Sequence, residues 1–505
     1  MPTSSRRPRA AAASSTGPSR GSVRATLALV LFLALVAGGV ATWRYDLLDG
    51  RLDALIGTGP DAPATGDPAA VAPPPGLDLP PVVAPGPVAD ASSTGGSLDA
   101  AAVRSALAPY LRDPDLGRHV RVAVAPLGDA PVVFASGSRP AIPASTTKLV
   151  TTVAARLALG PDHVFSTSVR LGPTEGAKGT RAALTLVGGG DPFLERAPTT
   201  PDGDAWPYPA RADVATLAEA TAAVLGEQGV RRVRLSYDDS LFTGPAINPT
   251  WEDDYIPGVV TPTSALWVDV GRTLSRSSRV DDPSGEAAGA FAASLRGAGI
   301  KVSGSPTPGS AASRSRVVAQ VDSAPLSQIV QRVVDVSDNE ASEALLRHIG
   351  IAEYDDGSTD SGRRGVRALL RSAGVRLAGS TFYDGSGLSR ANRAEPGVLL
   401  DVLRLAADPT RPDLRAAVEG LPVAGFTGSL RLRMDEGPPA GLGRVRAKTG
   451  TLRAVSSLAG LGTDLDGTVF AFVLMADAIA LEDTLDARQA LDSAAAALGA
   501  CRCSG

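Results

Sequence analysis

Two short runs place a serine hydroxyl and two amines where chemistry could be done. Ser145-Thr146-Thr147-Lys148 and Lys448-Thr449-Gly450 hold two of the four lysines in the chain, the others being Lys178 and Lys301, within a Lys plus Arg total of 49. Arginine therefore serves almost every need for a surface cation. Its guanidinium cannot lose a proton near neutral pH, whereas burial can bring a lysine amine into the working range. A serine hydroxyl is a poor nucleophile until a base stands within hydrogen-bond reach. Spacing of three on a helix puts Ser145 and Lys148 on one face, one turn apart, so a neutral Lys148 could take the Ser145 proton. Alone, Ser-x-x-Lys is a weak signal, because a solvated lysine on a helix has the same pattern.

The second element is Ser337-Asp338-Asn339, between helical stretches ending near Val334 and beginning near Glu340. Ser, Asp and Asn are preferred N-cap residues, so the plain reading is a helix cap. The third, Lys448-Thr449-Gly450-Thr451, closes a strand candidate, where the plain reading is a turn containing glycine. Their order raises the specificity. Serine-lysine, then Ser-x-Asn, then Lys-Thr-Gly on a strand is the motif set of penicillin-binding proteins and serine β-lactamases.

On these motifs the chain resembles the D-alanyl-D-alanine carboxypeptidase/endopeptidase family, the low-molecular-mass class C penicillin-binding proteins. The long interval from Lys148 to Ser337 is similar to that family's accessory insertion, with Gly188-Gly189-Gly190-Asp191-Pro192 and Trp251-Glu252-Asp253-Asp254-Tyr255 inside it. Asp384-Gly385-Ser386-Gly387-Leu388-Ser389-Arg390 and Leu421-Pro422-Val423-Ala424-Gly425 also resemble its recurrent segments. The resemblance runs from Leu98 to Leu498. It implies that Ser145 attacks the D-Ala-D-Ala carbonyl of a peptidoglycan stem peptide and becomes acylated, with Lys148 as base. Ser337 would relay a proton to the leaving amine with help from Lys148 or Lys448, and Asn339 would hold the substrate amide. Lys448 and Thr449 would bind the terminal carboxylate, or that of a β-lactam acting as an acylating inhibitor. Gly450 would let the substrate lie against the strand, and the N–H groups of Ser145 and Thr451 would form the oxyanion hole.

The resemblance also implies a pocket for the stem-peptide diamino acid. Asp254 and Arg390 would complement an amine and a carboxylate at the end of its side chain, between walls formed by Trp251 and Leu388. A surface ion pair and a core tryptophan are the competing readings. Two departures from the family pattern stand out: Asp477 where an amide is commoner, and Glu340-Ala341 in place of an apolar or aromatic pair. Carboxypeptidase and endopeptidase action are both left open. A serine β-lactamase or esterase of the same superfamily would share the three motifs, and a non-catalytic wall-binding scaffold could keep the fold.

The pattern of elements is α+β, and the resemblance implies a body of the β-lactamase/transpeptidase type, an antiparallel sheet flanked by helices. Alternating apolar residues predict strands over His119 to Ala125, Pro131 to Ala135, Arg444 to Lys448, Ser456 to Gly462 and Thr468 to Met475. Leu149, Val150, Val153, Ala154 and Leu157 keep helical spacing up to Gly160, which places Ser145 at a helix amino end. Further helices are expected at Leu217 to Leu225, Ala287 to Ala298, Leu326 to Val334, Glu340 to His348, Arg364 to Ala373 and after Leu481. The expected division is a cytoplasmic tail (1–24), a membrane-spanning signal anchor (25–43), a Pro/Ala/Gly-rich tether (44–97), a first catalytic part (98–165), the insertion (166–318), a second catalytic part (319–500) and a tail (501–505).

The anchor rests on Ala25 to Trp43, which carries no charge and follows five arginines. About 19 residues at 1.5 Å rise suffice to cross a bilayer core, and the arginines hold the preceding residues in the cytoplasm. The body would then face the cell wall outside the membrane. A cleaved secretory signal is the alternative, since Gly39-Val40-Ala41 offers small residues for processing. A proline-rich tether could carry the body up to roughly 100 Å from the bilayer. Net charge of −4 and 4% aromatic residues speak against a nucleic-acid partner. The cysteines, Cys501 and Cys503, suggest a frayed end and are too few for a structural zinc site. No metal or organic cofactor is implied, and His119, His163 and His348 lie far from any Gly-x-Ser-x-Gly elbow. His348 reads as a packing or surface residue on a helix. The full chain is expected to sediment with membranes and a chain beginning at Ser97 to stay in the supernatant, which cell fractionation checks.

Overall fold

The computed structural model describes residues 96–505 apart from 176–179, 201–206 and 276. The expected cytoplasmic tail, anchor and nearly all of the tether lie outside the described residues. Among the latter, no helix is long and apolar enough to cross a membrane. Helix α1 (Ala100–Leu107) precedes strands β1 (Val120–Pro126) and β2 (Phe134–Ser136), and a short 3-10 turn (Ala144–Thr146) runs into α2 (Thr147–Leu159). The insertion follows as β3 (Ser166–Glu175), β4 (Arg181–Val187), α3 (Val214–Glu227), β5 (Arg232–Asp238), α4 (Pro283–Gly297), β6 (Lys301–Val302), β7 (Thr307–Pro308) and β8 (Arg316–Asp322). The chain returns through α5 (Leu326–Val336), α6 (Asn339–Tyr354), α7 (Thr359–Ser372), α8 (Pro396–Ala407) and α9 (Ala416–Glu419). It closes with β9 (Val445–Leu452), β10 (Val455–Thr463), β11 (Val469–Ala476) and α10 (Thr484–Gly499).

The catalytic sheet has the antiparallel order β2-β1-β11-β10-β9. It is a middle layer buried on both faces, and so its central strand β11 reads as a continuous apolar run. Phe470, Phe472 and Leu474 pack with Val103 and Leu107 of α1 and with Leu491, Ala494 and Leu498 of α10. Ala471, Val473 and Met475 point to the opposite face, against Val150 and Val153 of α2 and Val402 of α8. On that second face α8 lies directly against β1, β10 and β11, and α2, which carries Lys148, packs in turn against α5, α6, α7 and α8. The expected α+β body is therefore present, with α8 as a helix the sequence reading did not propose.

The insertion has its own sheet, β6-β5-β4-β3-β8, with β7 also paired to β5. Val169, Leu184, Leu186, Val233 and Leu235 of this sheet meet Leu217 of α3 and Phe291 and Leu295 of α4 in a separate core. Because β8 runs to Asp322 and belongs to this sheet, the insertion ends a few residues later than 318. His348 sits on α6, stacked on Phe165 with ring centroids 4.0 Å apart and with Nε2 3.1 Å from the Gly190 carbonyl. Burial pulls its imidazole down to about 4, so it packs as a neutral ring.

The carboxyl-terminal residues correct the expectation of a frayed end. Cys501 and Cys503 form a disulfide, Cys503 is buried, and Leu98 bridges Ser504 as an antiparallel pair. The Asp99 N–H also donates to the Cys503 carbonyl at 2.8 Å. Two strand-like ends with complementary backbone groups satisfy each other, which a composition-based reading of five residues does not reveal. Leu474→Ala, in the middle of β11 with no exposed surface, is expected to lower stability by about 3 kcal/mol in chemical denaturation.

Candidate active site

Ser145 stands in the 3-10 turn just ahead of α2, on backbone under local strain: Ala144 before it has φ 47°, a left-handed value uncommon for a residue with a side chain. Several contacts over-determine this turn. The Pro143 carbonyl accepts from Ser457 Oγ at 2.6 Å and from Thr146 Oγ1 at 2.7 Å. The Ile142 N–H donates to Asp477 Oδ2 at 2.8 Å, and Asp477 Oδ1 meets His119 Nδ1. Asp477 thus ties the end of β11 to the segment leading into the serine. Gly387, at φ +84°, approaches so closely that a Cβ there would come within 1.9 Å of the Ala144 carbonyl oxygen. Gly450 on β9 is similarly constrained, since a Cβ would fall 2.2 Å from Ser457 Oγ.

Lys148 lies on the first turn of α2 with no exposed surface. Its Nζ is 3.0 Å from Ser145 Oγ, 2.8 Å from Asn339 Oδ1 and 2.6 Å from the Ser386 carbonyl oxygen. Burial lowers the amine to about 8, against the pull of the nearby Asp384, Asp338, Glu343 and Glu340 carboxylates. The three partners fix what a neutral amine does. Two of them accept only, so they take its two protons, and the remaining lone pair points at the Ser145 hydroxyl.

The Ser386 carbonyl is held by a buried carboxyl pair. Glu343, on α6, accepts from the Gly385 and Ser386 N–H groups at 3.0 and 2.7 Å, and burial followed by the nearby Asp384 pushes it up to about 8. Asp384 accepts from the Gly387 and Ser389 N–H groups, from Asn392 Nδ2 at 2.7 Å and from Trp251 Nε1 at 2.9 Å. A loop of glycine and serine without an apolar core is thereby made rigid.

Ser337 closes α5 in the left-handed region, at φ 63° and ψ 43°. Asp338 is the N-cap of α6, its Oδ1 accepting from the Ala341 N–H at 2.9 Å, and Asn339 is the first helical residue. The cap and the site are therefore one structure, in which Asp338 caps the helix and Asn339 reaches Lys148. Lys448 is fully buried on edge strand β9, with Nζ donating to the Thr449 carbonyl at 2.8 Å. Burial, Lys148 and Arg433 hold its amine well below the ordinary lysine value, and among the described residues no carboxylate forms an ion pair with it. Beside it, Thr449 Oγ1 lies 2.9 Å from Ser429 Oγ. An amine and two hydroxyls without a counter-ion suit an incoming carboxylate. No group of three or more His, Cys, Asp or Glu is placed to hold a metal ion among the described residues.

The D-Ala-D-Ala carboxypeptidase 3 (S13) family matches residues 103–279 and 271–498, nearly the whole described chain. The chain belongs to this family. Its activity class is that of a serine-type D-Ala-D-Ala carboxypeptidase, as the three motifs imply. Among curated relatives, a carboxypeptidase of Mycobacterium tuberculosis is 34% identical over 445 residues, covering 86% of this chain and 90% of its own length. Carboxypeptidase DacB of Mycolicibacterium smegmatis is 33% identical over 407 residues, covering 79% of this chain and 84% of its own. The crystal structure of penicillin binding protein 4 (dacB) from Haemophilus influenzae shares the fold, with TM-score 0.64 at 22% identity over 78% of this chain and 98% of that one.

Within this S13 site the remaining expected residues divide. Trp251 and Leu388 pack together with Val260, both nearly buried, and Trp251 spends its indole N–H on Asp384. Arg390 Nε lies 3.5 Å from Glu252 Oε1, whereas Asp254 is largely exposed and 3.7 Å from Arg453 Nη2. Thr451 is exposed on β9, one residue past the glycine. The unusual Glu340 has its own counter-ion, Arg279 of the insertion, with Nε 2.8 Å away. Missed by sequence reasoning as individual site residues were Glu343, Asp384, Ser386 and Ser429. The polar, glycine-flanked run at 384–389 was the signal available for two of them; Glu343 inside a helix gave none.

Because the base must be neutral, acylation by a β-lactam is expected to rise about tenfold per pH unit below the Lys148 value of about 8 and to level off above it. Stopped-flow acylation across pH checks this. Glu343→Gln, which keeps a neutral acceptor, is expected to retain most activity at pH 7, and Glu343→Ala to lose more than about tenfold.

Proposed function

We propose that the protein cleaves the D-Ala-D-Ala bond of peptidoglycan stem peptides through an acyl-enzyme on Ser145. The contact that carries this reading is Lys148 Nζ at 3.0 Å from Ser145 Oγ, with the amine's other two hydrogen bonds already taken. Lys148 accepts the hydroxyl proton as Ser145 Oγ bonds to the carbonyl carbon. Negative charge moves to the carbonyl oxygen, where the Ser145 and Thr451 N–H groups receive it. Collapse breaks the C–N bond, and the proton passes through Ser337 to the departing amine. Water then attacks the ester, Lys148 again takes a proton, and Ser145 is released.

Asn339 presents Oδ1 to Lys148, which leaves its Nδ2 to donate to the substrate amide. Lys448, Thr449 and Ser429 bind the terminal carboxylate. The outer edge of β9 is covered near Val445 by the Val423–Ala424 segment, so the stretch from Lys448 onward supplies backbone groups for an extended peptide. A penicillin, whose carboxylate and strained amide mimic the substrate, would acylate Ser145 in the same way. Trp251, Leu388, Arg390 and Asp254 border the diamino-acid side chain, with Glu252 sharing the charge on Arg390. The uncharged stretch at 25–43 anchors the chain in the cell membrane, so that the body works on the wall side.

A fluorescent penicillin is expected to leave a persistent adduct on the protein and none on Ser145→Ala, read by gel. Rapid loss of the label would instead indicate a β-lactamase, and no label on a folded protein would indicate a scaffold. Lys148→Ala is expected to slow acylation about a thousandfold.

A further inference from the structure

The insertion's sheet carries cations in register. Arg181 at the start of β4 lies opposite Arg232 at the start of β5, and Arg232 lies opposite Lys301 of β6. Residues opposite one another share a face of the sheet, as does Arg234, two positions along β5. All four are exposed, whereas Val233 and Leu235 are buried in the insertion's core. Adjacent strands lie about 4.8 Å apart, so the three residues in register form a row of about 10 Å across the strands. Like charges opposite one another cost a sheet stability. Protection of a sheet edge accounts for Lys301, since β6 is an edge strand, but not for Arg232, which has a paired strand on each side.

Beside this row, a surface groove of about 600 Å³ is lined by Arg232, Lys301, Ser303 and Arg296 of α4, with no carboxylate among its lining residues. None of these five cations forms an ion pair among the described residues. Two acids stand in neighbouring segments: Glu175 of β3 is opposite Arg181 on its other side, and Glu227 closes α3 without an ion pair. They leave the cations in excess, on a chain whose net charge is −4. Asp238 and Asp322 sit at the other end of the sheet, where β4 runs on to Gly190 and its contact with His348 of α6. The 7 residues of β5, at about 3.3 Å each, put the cationic end roughly 20 Å away, remote from the catalytic body.

We propose that this row and groove bind a linear anionic polymer of the cell wall, with phosphodiester or carboxylate groups repeating along its length. A groove admits a single chain, whereas a lipid surface would meet only its rim. Among the described residues no exposed large apolar side chain lines it to enter a bilayer. The inference rests on the peptidoglycan reading above, which makes a solid wall the substrate. A second attachment to that wall, remote from Ser145, raises the local concentration of stem peptides without touching the chemistry.

The test follows sedimentation of the Ser145→Ala protein with purified peptidoglycan walls that keep their attached polymers. Adding Arg232→Gln and Lys301→Gln together is expected to weaken binding at least about fivefold, and raised salt to weaken it likewise. Arg367→Gln with Arg371→Gln, two exposed arginines of α7, is expected to leave binding within about twofold. Walls stripped of phosphodiester-linked polymers by hydrofluoric acid separate the two sources of anion. Lost binding assigns the partner to such a polymer, and retained, salt-sensitive binding assigns it to carboxylates of the wall itself; either result supports the site. Unchanged binding on replacing Arg232 and Lys301, or an equal loss on replacing the α7 pair, overturns the proposal. Equal uptake by vesicles of phosphatidylglycerol and phosphatidylcholine in equal parts overturns it too, in favour of a membrane surface. With Ser145 intact, the Arg232 and Lys301 replacements are expected to leave D-alanine release from a soluble pentapeptide within about twofold. No release even without those replacements refutes acyl transfer and leaves the binding result standing.

Discussion

The site depends on one buried amine. Lys148 has no exposed surface and three polar partners from three parts of the chain: Ser145 in the preceding turn, Asn339 at the start of α6, and the Ser386 carbonyl. An ammonium in such a place would be prohibitive without acceptors, and a neutral amine would be useless without a direction for its lone pair. The two fixed acceptors solve both problems, stabilising the charged form and aiming the neutral one. Everything that holds Asn339 and Ser386 still therefore bears on the basicity of Lys148.

That support reaches far into the fold. Ser386 is held by Glu343 and Asp384, and Asp384 in turn by Trp251 of the insertion. Asn339 begins a helix whose next residue, Glu340, pairs with Arg279 of the insertion. The accessory region is thus coupled to the base through two separate polar links, a hydrogen bond to an indole and a buried ion pair. Removing Arg279 would leave the buried Glu340 carboxylate without its counter-ion, which is far costlier than losing a surface contact, whereas Asp384 without Trp251 would keep the Gly387, Ser389 and Asn392 donors.

Much of this was legible because the chemistry is written in rare residues. Lysine is scarce, so Lys148 and Lys448 stood out, and the strands of the catalytic sheet were readable because both their faces are apolar. The insertion's sheet was not: β5 does alternate exposed Arg232 and Arg234 with buried Val233 and Leu235, but its parallel partner β4 lies beyond a helix, so no hairpin marks the pair. Pairing of β3 with β8 joins Ser166 to Asp322, a distance no local pattern spans. Glu343 was hidden for a different reason. A glutamate in a helix looks solvated until tertiary structure buries it, and its burial comes from a loop some forty residues later. Asp254 and Arg390 were expected around one ligand side chain; the sequence did not show that Glu252 would lie beside Arg390, or Arg453 beside Asp254.

The strand order has a consequence for how the protein is made. In the catalytic sheet β1 lies between β2 and β11, so its neighbour on one side arrives only when the chain has been produced to Ala476. The insertion, whose strands are all contained between Ser166 and Asp322, has no such debt and can close on its own contacts first. A chain emerging from its amino end therefore carries an unfinished catalytic half throughout synthesis, with α1, β1 and α2 lacking the surfaces they bury against. A protein built in this order acquires its active site last: Lys448 and the strand that carries it are joined to Ser145 and Lys148 only when β9, β10 and β11 have all been made.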